Sequence, residues 1–122
     1  MPEMLDIVDR NDCVVGKFTR KNAHKKKLLH RQVQVIITSK GRLLIQKRSK
    51  NKDVYPSYYE AGLSGHVQSG ETYEQTAKRE LNEELGIRNV KLKKIGSFIH
   101  KDRQDSAIFR VYSLEYSGKI VQ

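Results

Sequence analysis

The sequence contains one cysteine in 122 residues, Cys13. A single thiol cannot form a disulfide within the chain, and Cys13 has no partner at the spacing of a zinc site. The chain also lacks an apolar run near the ~18 residues that a membrane-spanning helix needs. Residues 1–12 carry acids where a signal peptide has basic and apolar regions. These absences argue against a membrane partner and predict a reducing, cytoplasmic compartment.

Internal repeats, low-complexity tracts and linkers rich in Pro, Gly or Ser are absent as well. A chain of 122 residues cannot comfortably hold two domains, because a second core would leave neither half able to bury enough surface. We therefore expect one domain over residues 1–122.

Acidic residues are few beside the basic ones. The chain has 14 Asp and Glu against 24 Lys and Arg, which gives a net charge of +10. Such a field attracts polyanions, so phosphorylated ligands and nucleic acid are candidate partners. A solvated basic surface without a particular partner is an equally good explanation of the charge alone.

Most of the predicted elements are strands. Alternating or β-prone runs predict strands or strand-like runs over residues 4–8, 13–17, 32–38, 43–45, 90–99 and 107–116. The first two, and the third with the fourth, are expected to form hairpins. Residues 20–27 are weakly helical, and residues 51–69 predict a long loop with at most one short strand. In total we expect five or six strands.

One long helix is predicted over residues 72–85. This segment has no Pro or Gly, and Ala77, Leu81 and Leu85 recur four residues apart on one stripe. Gly86 follows at the position where a left-handed C-cap is favoured.

The same helix carries three clustered acids, Glu80, Glu83 and Glu84. Their spacing of i, i+3 and i+4 places all three carboxylates on one side. Like charges repel there, and the C-terminal half of a helix favours cations rather than anions. Bound Mg²⁺ or Mn²⁺ would offset both penalties, because such hard ions prefer oxygen ligands. A solvated acidic face is the alternative, and it is the commoner explanation of an isolated Glu pair.

The segment around these acids resembles the Nudix box. Residues 65–87 are GHVQSGETYEQTAKRELNEELGI, and they match all seven residue-specific positions and both apolar positions of that motif without a gap. The resemblance implies an α/β/α sandwich with a mixed sheet. It also implies metal-dependent hydrolysis of a nucleoside diphosphate derivative or a related diphosphate.

The resemblance assigns roles to individual residues. Glu80 and Glu84 are similar to the principal metal ligands, Glu83 to a further ligand, and the backbone carbonyl of Ser64 to another. Arg79 resembles the residue that orients the acids, with Glu71 as its partner, and Gly65 and Gly86 resemble turn glycines. Expected catalytic residues are Glu80, Glu83 and Arg79. The general base stays open, and the candidates are Glu80, Glu83 or an acid outside the box, namely Asp102, Asp105 or Glu115.

Segments outside the box resemble the branch that contains isopentenyl-diphosphate isomerases and related hydrolases. The matching residues are Asp6 to Asp9, Leu29 to Arg31, Leu44 to Arg48, and Tyr55 with Pro56. This resemblance implies a candidate second metal site formed by His24, His30, His66 and Asp105. Ordinary polar surface histidines are the alternative. Isomerisation needs a thiol where this chain has Ser64, and a hydroxyl is far less acidic, so hydrolysis is favoured over isomerisation.

The resemblance implies that the substrate is a small diphosphate derived from a nucleotide. Arg48, Gly65 and His66 are its predicted contacts. Tyr55, Tyr58 and Tyr59 are candidates for stacking on a base, although packing is the commoner role. An inactive module that binds RNA or a nucleotide is an alternative from another class. It is less favoured because RNA binding does not require three clustered glutamates.

The resemblance also implies a further strand and a covering helix after the last long strand. The sequence ends at Gln122 without them. We expect either a truncated or short form of the fold, or a homodimer that covers the exposed face.

Overall fold

The computed structural model describes residues 3–47, 59–103 and 105–120. Its helices are α1 (Arg20–Lys25) and α2 (Tyr73–Leu85). Its strands, in chain order, are β1 (Met4–Val8), β2 (Val14–Thr19), β3 (His30–Ser39), β4 (Arg42–Leu43), β5 (Ile45–Lys47), β6 (Tyr59–Ala61), β7 (Leu63–His66), β8 (Lys93–Lys101) and β9 (Ser106–Glu115).

The N-terminal hairpin is confirmed. β1 and β2 pair antiparallel across a turn, in which the Asp9 carboxylate accepts hydrogen bonds from the backbone N–H groups of Asn11 and Cys13. An Asp side chain that binds the backbone two residues ahead stabilises such a turn. The chain then enters α1, where the Thr19 hydroxyl caps the backbone N–H of Asn22.

The main sheet is mixed, as predicted. Its strand order is β2-β1-β3-β9-β8, and β4 and β7 also pair with β3. β3 runs parallel to β9, whereas its pairings with β1, β4 and β7 are antiparallel. β3 is therefore the centre of the sheet, and the segments that pair with it are brought close together.

The predicted long helix is confirmed with both of its ends. Thr72 and Gln75 form a capping box at the N-terminus, and Gly86 ends the helix with a φ of 68°. Ala77, Leu81 and Leu85 are fully buried against the face of β3 that carries Val33 and Val35. This cluster is the main hydrophobic core, and it holds α2 at a set position over the sheet.

A smaller core lies under α1. Leu5, Ile7 and Ala23 are buried there, and Phe18 and Leu28 pack against them. In the part of the chain that the structure describes, neither helix is long and apolar enough to cross a membrane.

Three predictions about strands were wrong. The described residues contain nine strands rather than five or six, and the second hairpin is split at Leu44. β4 pairs with β3, but β5 pairs with β6, so the chain changes partner between Leu43 and Ile45. The predicted loop over residues 51–69 contains both β6 and β7. These short strands are stabilised by partners distant in sequence, which local patterns do not reveal.

Replacing Leu81 with alanine should lower the free energy of unfolding by about 2–5 kcal/mol, because the change leaves a cavity in the main core. Leu43→Ala is the matched control, since Leu43 is 48% exposed on β4. It should lower the free energy of unfolding by only about 0.5 kcal/mol. Urea unfolding followed by circular dichroism measures both. Equal losses would contradict the packing of α2 described above.

Candidate functional site

Two acids of α2 and one acid of the preceding loop converge on the guanidinium of Arg79. Arg79 donates from Nε and Nη2 to the two carboxylate oxygens of Glu71, at 2.9 and 3.0 Å. Its Nη1 donates to Glu80 at 3.0 Å and to Glu83 at 3.2 Å. The hydrogen bonds to Glu71 are the main reason why the pKa of Arg79 is raised. Arg79 therefore holds three carboxylates in one arrangement, as the resemblance implies.

Glu71 joins this network to the loop before α2. Besides Arg79, its carboxylate accepts hydrogen bonds from the Thr76 hydroxyl at 2.9 Å and from the backbone N–H of Gln68 at 3.2 Å. The Arg79 hydrogen bonds are the largest influence on the pKa of Glu71 and lower it, although burial opposes them. The carboxylate is thus held ionised while it links loop and helix.

Gly65 lies inside β7, so its predicted role as a turn glycine was wrong. A Cβ atom at this position would lie 2.7 Å from Cγ of Glu80 and 2.8 Å from its Cδ. The absence of a side chain lets the Glu80 side chain pass close to the strand. A glycine is needed at position 65 because α2 and β7 lie too close together there for a side chain. Gly86, by contrast, does occupy a left-handed turn.

A small polar cavity of about 50 Å³ lies beside this approach. Four of the residues predicted for the site line it together, namely Ser64, Gly65, His66 and Glu80. Arg20 and Gln32 also line it. The side chain of Glu80 is 17% exposed, while that of Glu83 is 58% exposed. The acidic cluster therefore extends from the cavity wall out to solvent.

A second cluster unites the three predicted histidines with Asp105. One candidate ligand atom from each of His24, His30, His66 and Asp105 lies within 4.8 Å of every other. The Nε2 atoms of His24 and His66 are 2.9 Å apart, and the His30 and His66 rings stack with centroids 5.2 Å apart. The four residues come from α1, β3, β7 and the turn before β9.

The electrostatics of this cluster suit metal binding. Burial, followed by the neighbouring Arg20 and the other histidines, keeps the pKa of His66 well below its usual value, so its ring is neutral. Burial by itself would raise the pKa of Asp105, but the neighbouring His30 and a hydrogen bond from the Gln32 amide lower it overall. The neutral ring of His66 and the ionised carboxylate of Asp105 are forms that ligate cations.

Neighbouring groups orient these side chains. Nδ1 of His30 donates to the carbonyl of Leu28 at 2.9 Å, and Nε2 of the same ring lies 3.3 Å from Oδ1 of Asp105. The amide of Gln32 donates to the other carboxylate oxygen of Asp105. Partners of this kind set the tautomer and the ring orientation of histidine ligands.

Donor chemistry distinguishes the two clusters. The carboxylates of α2 are hard oxygen donors, and the close approach at Gly65 leaves room for one of them against β7. Such a set fits Mg²⁺ or Mn²⁺. Three imidazoles with one carboxylate form a mixed nitrogen and oxygen set, which fits a borderline transition ion such as Fe²⁺ or Zn²⁺.

Other predicted site residues lie elsewhere or outside the described ranges. Arg48, Tyr55 and Tyr58 fall outside the residues that the structure describes. Tyr59 is 72% exposed on β6, with the Lys47 ammonium 5.9 Å from its ring centroid. Of the candidate bases outside the box, Asp102 contacts His100 at 2.8 Å, and Glu115 is exposed at the end of β9.

Glu60 and Gln32 are residues of this region that sequence patterns did not predict. Glu60 accepts a hydrogen bond from the Ser64 hydroxyl at 2.7 Å. It lies in a stretch without hydrophobic periodicity, and its neighbours carry no motif that would mark it. Gln32 belongs to a strand pattern in which a polar residue normally faces solvent, yet it is only 5% exposed.

Comparison with known proteins matches this geometry to one family. The model of the NUDIX domain matches residues 28–122. An uncharacterised Nudix hydrolase from Nostoc is 37% identical over 116 residues, which cover 92% of this chain and 69% of that protein. A protein named isopentenyl-diphosphate Delta-isomerase 2, from Photorhabdus laumondii, is 39% identical over 106 residues, which cover 82% of this chain and 56% of its own.

A solved structure supports the same assignment. The crystal structure of DR0079 from Deinococcus radiodurans superposes with a TM-score of 0.80 at 29% identity, over 98% of this chain and 75% of that one. The predicted family and the predicted α/β/α sandwich are thereby confirmed. This chain spans between 56% and 69% of the length of the two curated relatives described above.

Adding a methyl group at Gly65 should disturb the acids. In Gly65→Ala the Glu80 side chain must move, because the new Cβ would lie 2.7 Å from its Cγ. We expect Mn²⁺ affinity, measured by calorimetry, to fall by about tenfold or more. Gly96→Ala is the control, since no heavy atom lies within 4 Å of a Cβ there. Unchanged Mn²⁺ affinity in Gly65→Ala would show that Glu80 is not a ligand of the metal site.

Glu71→Gln should lower the free energy of unfolding by about 1–2 kcal/mol at pH 7, because it weakens charge-assisted hydrogen bonds that are partly exposed to solvent. The folded-state pKa of Glu71 is depressed below 4.5. The contribution of ionised Glu71 to the free energy of unfolding is therefore fully present above the unfolded-state pKa. It is lost as the pH falls through the folded-state pKa.

The difference between wild type and Glu71→Gln should accordingly shrink below about pH 4.5. Glu74→Gln is the control, because Glu74 is 56% exposed and contacts Lys78 at 3.7 Å on the same helix. Urea titrations at several pH values measure these differences. A difference that stays constant down to pH 2 would show that the charge of Glu71 does not stabilise the fold.

Proposed function

We propose, on the premise that this chain belongs to the Nudix hydrolase family, that it hydrolyses a phosphoanhydride bond of a nucleotide-derived diphosphate with Mg²⁺ or Mn²⁺. The observation that carries the proposal is the convergence of Glu71, Glu80 and Glu83 on Arg79 beside the approach at Gly65. A solvated acidic face would not require so close an approach between Glu80 and a glycine of the sheet.

Glu80, Glu83 and Glu84 would hold the ion, together with the backbone carbonyl of Ser64. When bound, the ion neutralises charge on the diphosphate oxygens and lowers the pKa of a coordinated water. The donor set supports this assignment, because a diphosphate and three carboxylates would repel each other strongly without a cation between them.

The protein's own side chains have three tasks in this proposal. Arg79 keeps Glu80 and Glu83 in place, which reduces the reorganisation needed when substrate binds. The polar cavity beside Ser64 and His66 orients the phosphate oxygens that flank the scissile bond. Glu83, whose side chain is 58% exposed, accepts the proton of the attacking water on a carboxylate oxygen while the bridging P–O bond breaks.

The histidine cluster supports a second ion site and favours one alternative activity. Isomerisation of isopentenyl diphosphate is suggested by the four-residue cluster and by the isomerase-named relative. Ser64 disfavours it, because its hydroxyl donates to Glu60 and is far less acidic than a thiol. A direct isomerisation assay with isopentenyl diphosphate distinguishes the two activities.

We propose a cytoplasmic protein that acts on a small molecule and forms a homodimer, which sedimentation at micromolar concentration would test. Nucleic acid binding without turnover is the competing class. A steep dependence of RNA affinity on salt, combined with no hydrolysis, would favour it.

The deciding experiment measures hydrolysis of nucleoside diphosphates, triphosphates, nucleotide sugars, dinucleoside polyphosphates and prenyl diphosphates with Mg²⁺ or Mn²⁺. We expect product from at least one class, and a rate in Glu84→Gln lower by about a hundredfold or more, because a group that stabilises developing charge is lost. Glu74→Gln, on the same helix, is the matched control and should retain the wild-type rate.

Two outcomes would contradict the proposal. Equal rates in wild type and Glu84→Gln would mean that the acids of α2 are not the catalytic centre. No hydrolysis of any class, by protein that unfolds cooperatively and binds Mn²⁺, would leave a metal-binding domain without the proposed activity.

A further inference from the structure

We infer that an open groove between the β1–β2 turn and strands β8 and β9 binds the phosphate group of a small phosphorylated molecule. The groove has a volume of about 290 Å³. The residues that carry the inference are Arg10, Asn11, Ser97, Ile99, Ile108 and Arg110, all of which line it. It shares no lining residue with the polar cavity beside Glu80, so it is a separate site.

The groove has an excess of positive charge. Asp12 also lines it, but both of its carboxylate oxygens are engaged. Oδ1 accepts from Nε of Arg31 at 2.7 Å, and Oδ2 accepts from the Tyr73 hydroxyl at 3.0 Å. Within residues 3–47, 59–103 and 105–120, no carboxylate forms an ion pair with Arg10 or Arg110. Two guanidinium groups therefore face the groove without an anion.

Arg110 is held in place with its hydrogen bonding incomplete. Its guanidinium lies 4.1 Å from the centroid of the Tyr73 ring. Its Nε is buried and has no hydrogen-bond partner among the described residues. Buried donors are normally paired, so an orphan donor beside a groove is an observation that a ligand would explain.

Asp9, the other acid of the turn, is used locally. Its Oδ1 accepts from the backbone N–H groups of Asn11 and Cys13, at 2.8 and 3.1 Å. These bonds hold the turn that carries Arg10. The turn is thus stabilised by one carboxylate and anchored to β3 by the Asp12 to Arg31 pair, which leaves Arg10 available to a ligand.

The lining selects the class of ligand. A planar guanidinium binds phosphate oxygens with two parallel hydrogen bonds, which favours a phosphate over a simple halide or a single carbonyl. Ile99 and Ile108 form an apolar wall, and the Ser97 hydroxyl and Asn11 amide offer hydrogen bonds to the organic part. The volume is near the lower limit of small-molecule sites, so the ligand is a small phosphate ester rather than a nucleic acid.

The test is an NMR titration of the full chain with inorganic phosphate and with glycerol 3-phosphate, in the presence of EDTA. The chelator removes divalent ions, so binding through the acids of α2 does not contribute and failure of the proposed hydrolase activity does not affect the result. We expect saturable shifts of the backbone amides of Asn11, Ser97 and Ile99, with glycerol 3-phosphate binding more tightly than phosphate.

Variants assign the shifts to the groove. Arg10→Gln, an exposed change that leaves the core intact, should weaken binding about tenfold. Arg110→Lys keeps the charge but loses the planar fork, and it should weaken binding by a similar factor. Arg42→Gln removes one exposed guanidinium on β4, outside the groove, and should leave the dissociation constant unchanged. Cooperative thermal unfolding of each variant shows that it is folded.

Three outcomes would overturn the inference. The first is an absence of saturation, or saturable shifts confined to residues outside the groove. The second is equal weakening by Arg42→Gln and Arg10→Gln, which would indicate diffuse attraction to the net charge. The third is tighter binding of a 12-nucleotide RNA at the same amides, with a steep salt dependence, which would identify a nucleic acid surface instead.

Discussion

The hydrogen-bonded ion pair between Arg79 and Glu71 is the contact on which the acidic site depends. It joins the middle of α2 to the loop that follows β7, and the same guanidinium contacts Glu80 and Glu83. Without a shared cation these carboxylates would repel each other and would oppose the helix dipole. The guanidinium therefore keeps the acids close together before any metal binds.

β7 connects the acidic site to the histidine cluster. Neighbouring residues of a strand point to opposite faces of a sheet. Gly65 lies against Glu80 of α2, and His66, the next residue, joins His24 and His30. The pairing of β7 with β3 places Gln32 opposite His66, so one short strand positions parts of both clusters. A register shift of one residue would separate them.

Local sequence patterns predicted the elements whose stabilising interactions are local. The N-terminal hairpin has its own turn residues around Asp9, and α2 has its capping box and a C-cap at Gly86. Patterns failed where pairing is distant in sequence. Leu44 marks a change of strand partner, and β6 and β7 were expected to belong to a loop. The pairing energy of such strands comes from residues tens of positions away.

The sequence by itself determined the family, the long helix and the acids Glu80, Glu83 and Glu84, because the motif and the helical period are both local. Only the tertiary structure decided that Gly65 receives the Glu80 side chain, that Glu60 binds Ser64, and that Arg110 faces an open groove beside Arg10. These contacts depend on how strands and helices pack across the sheet. Spacing along a chain does not specify such distances, because they are set by the register and packing of elements remote in sequence.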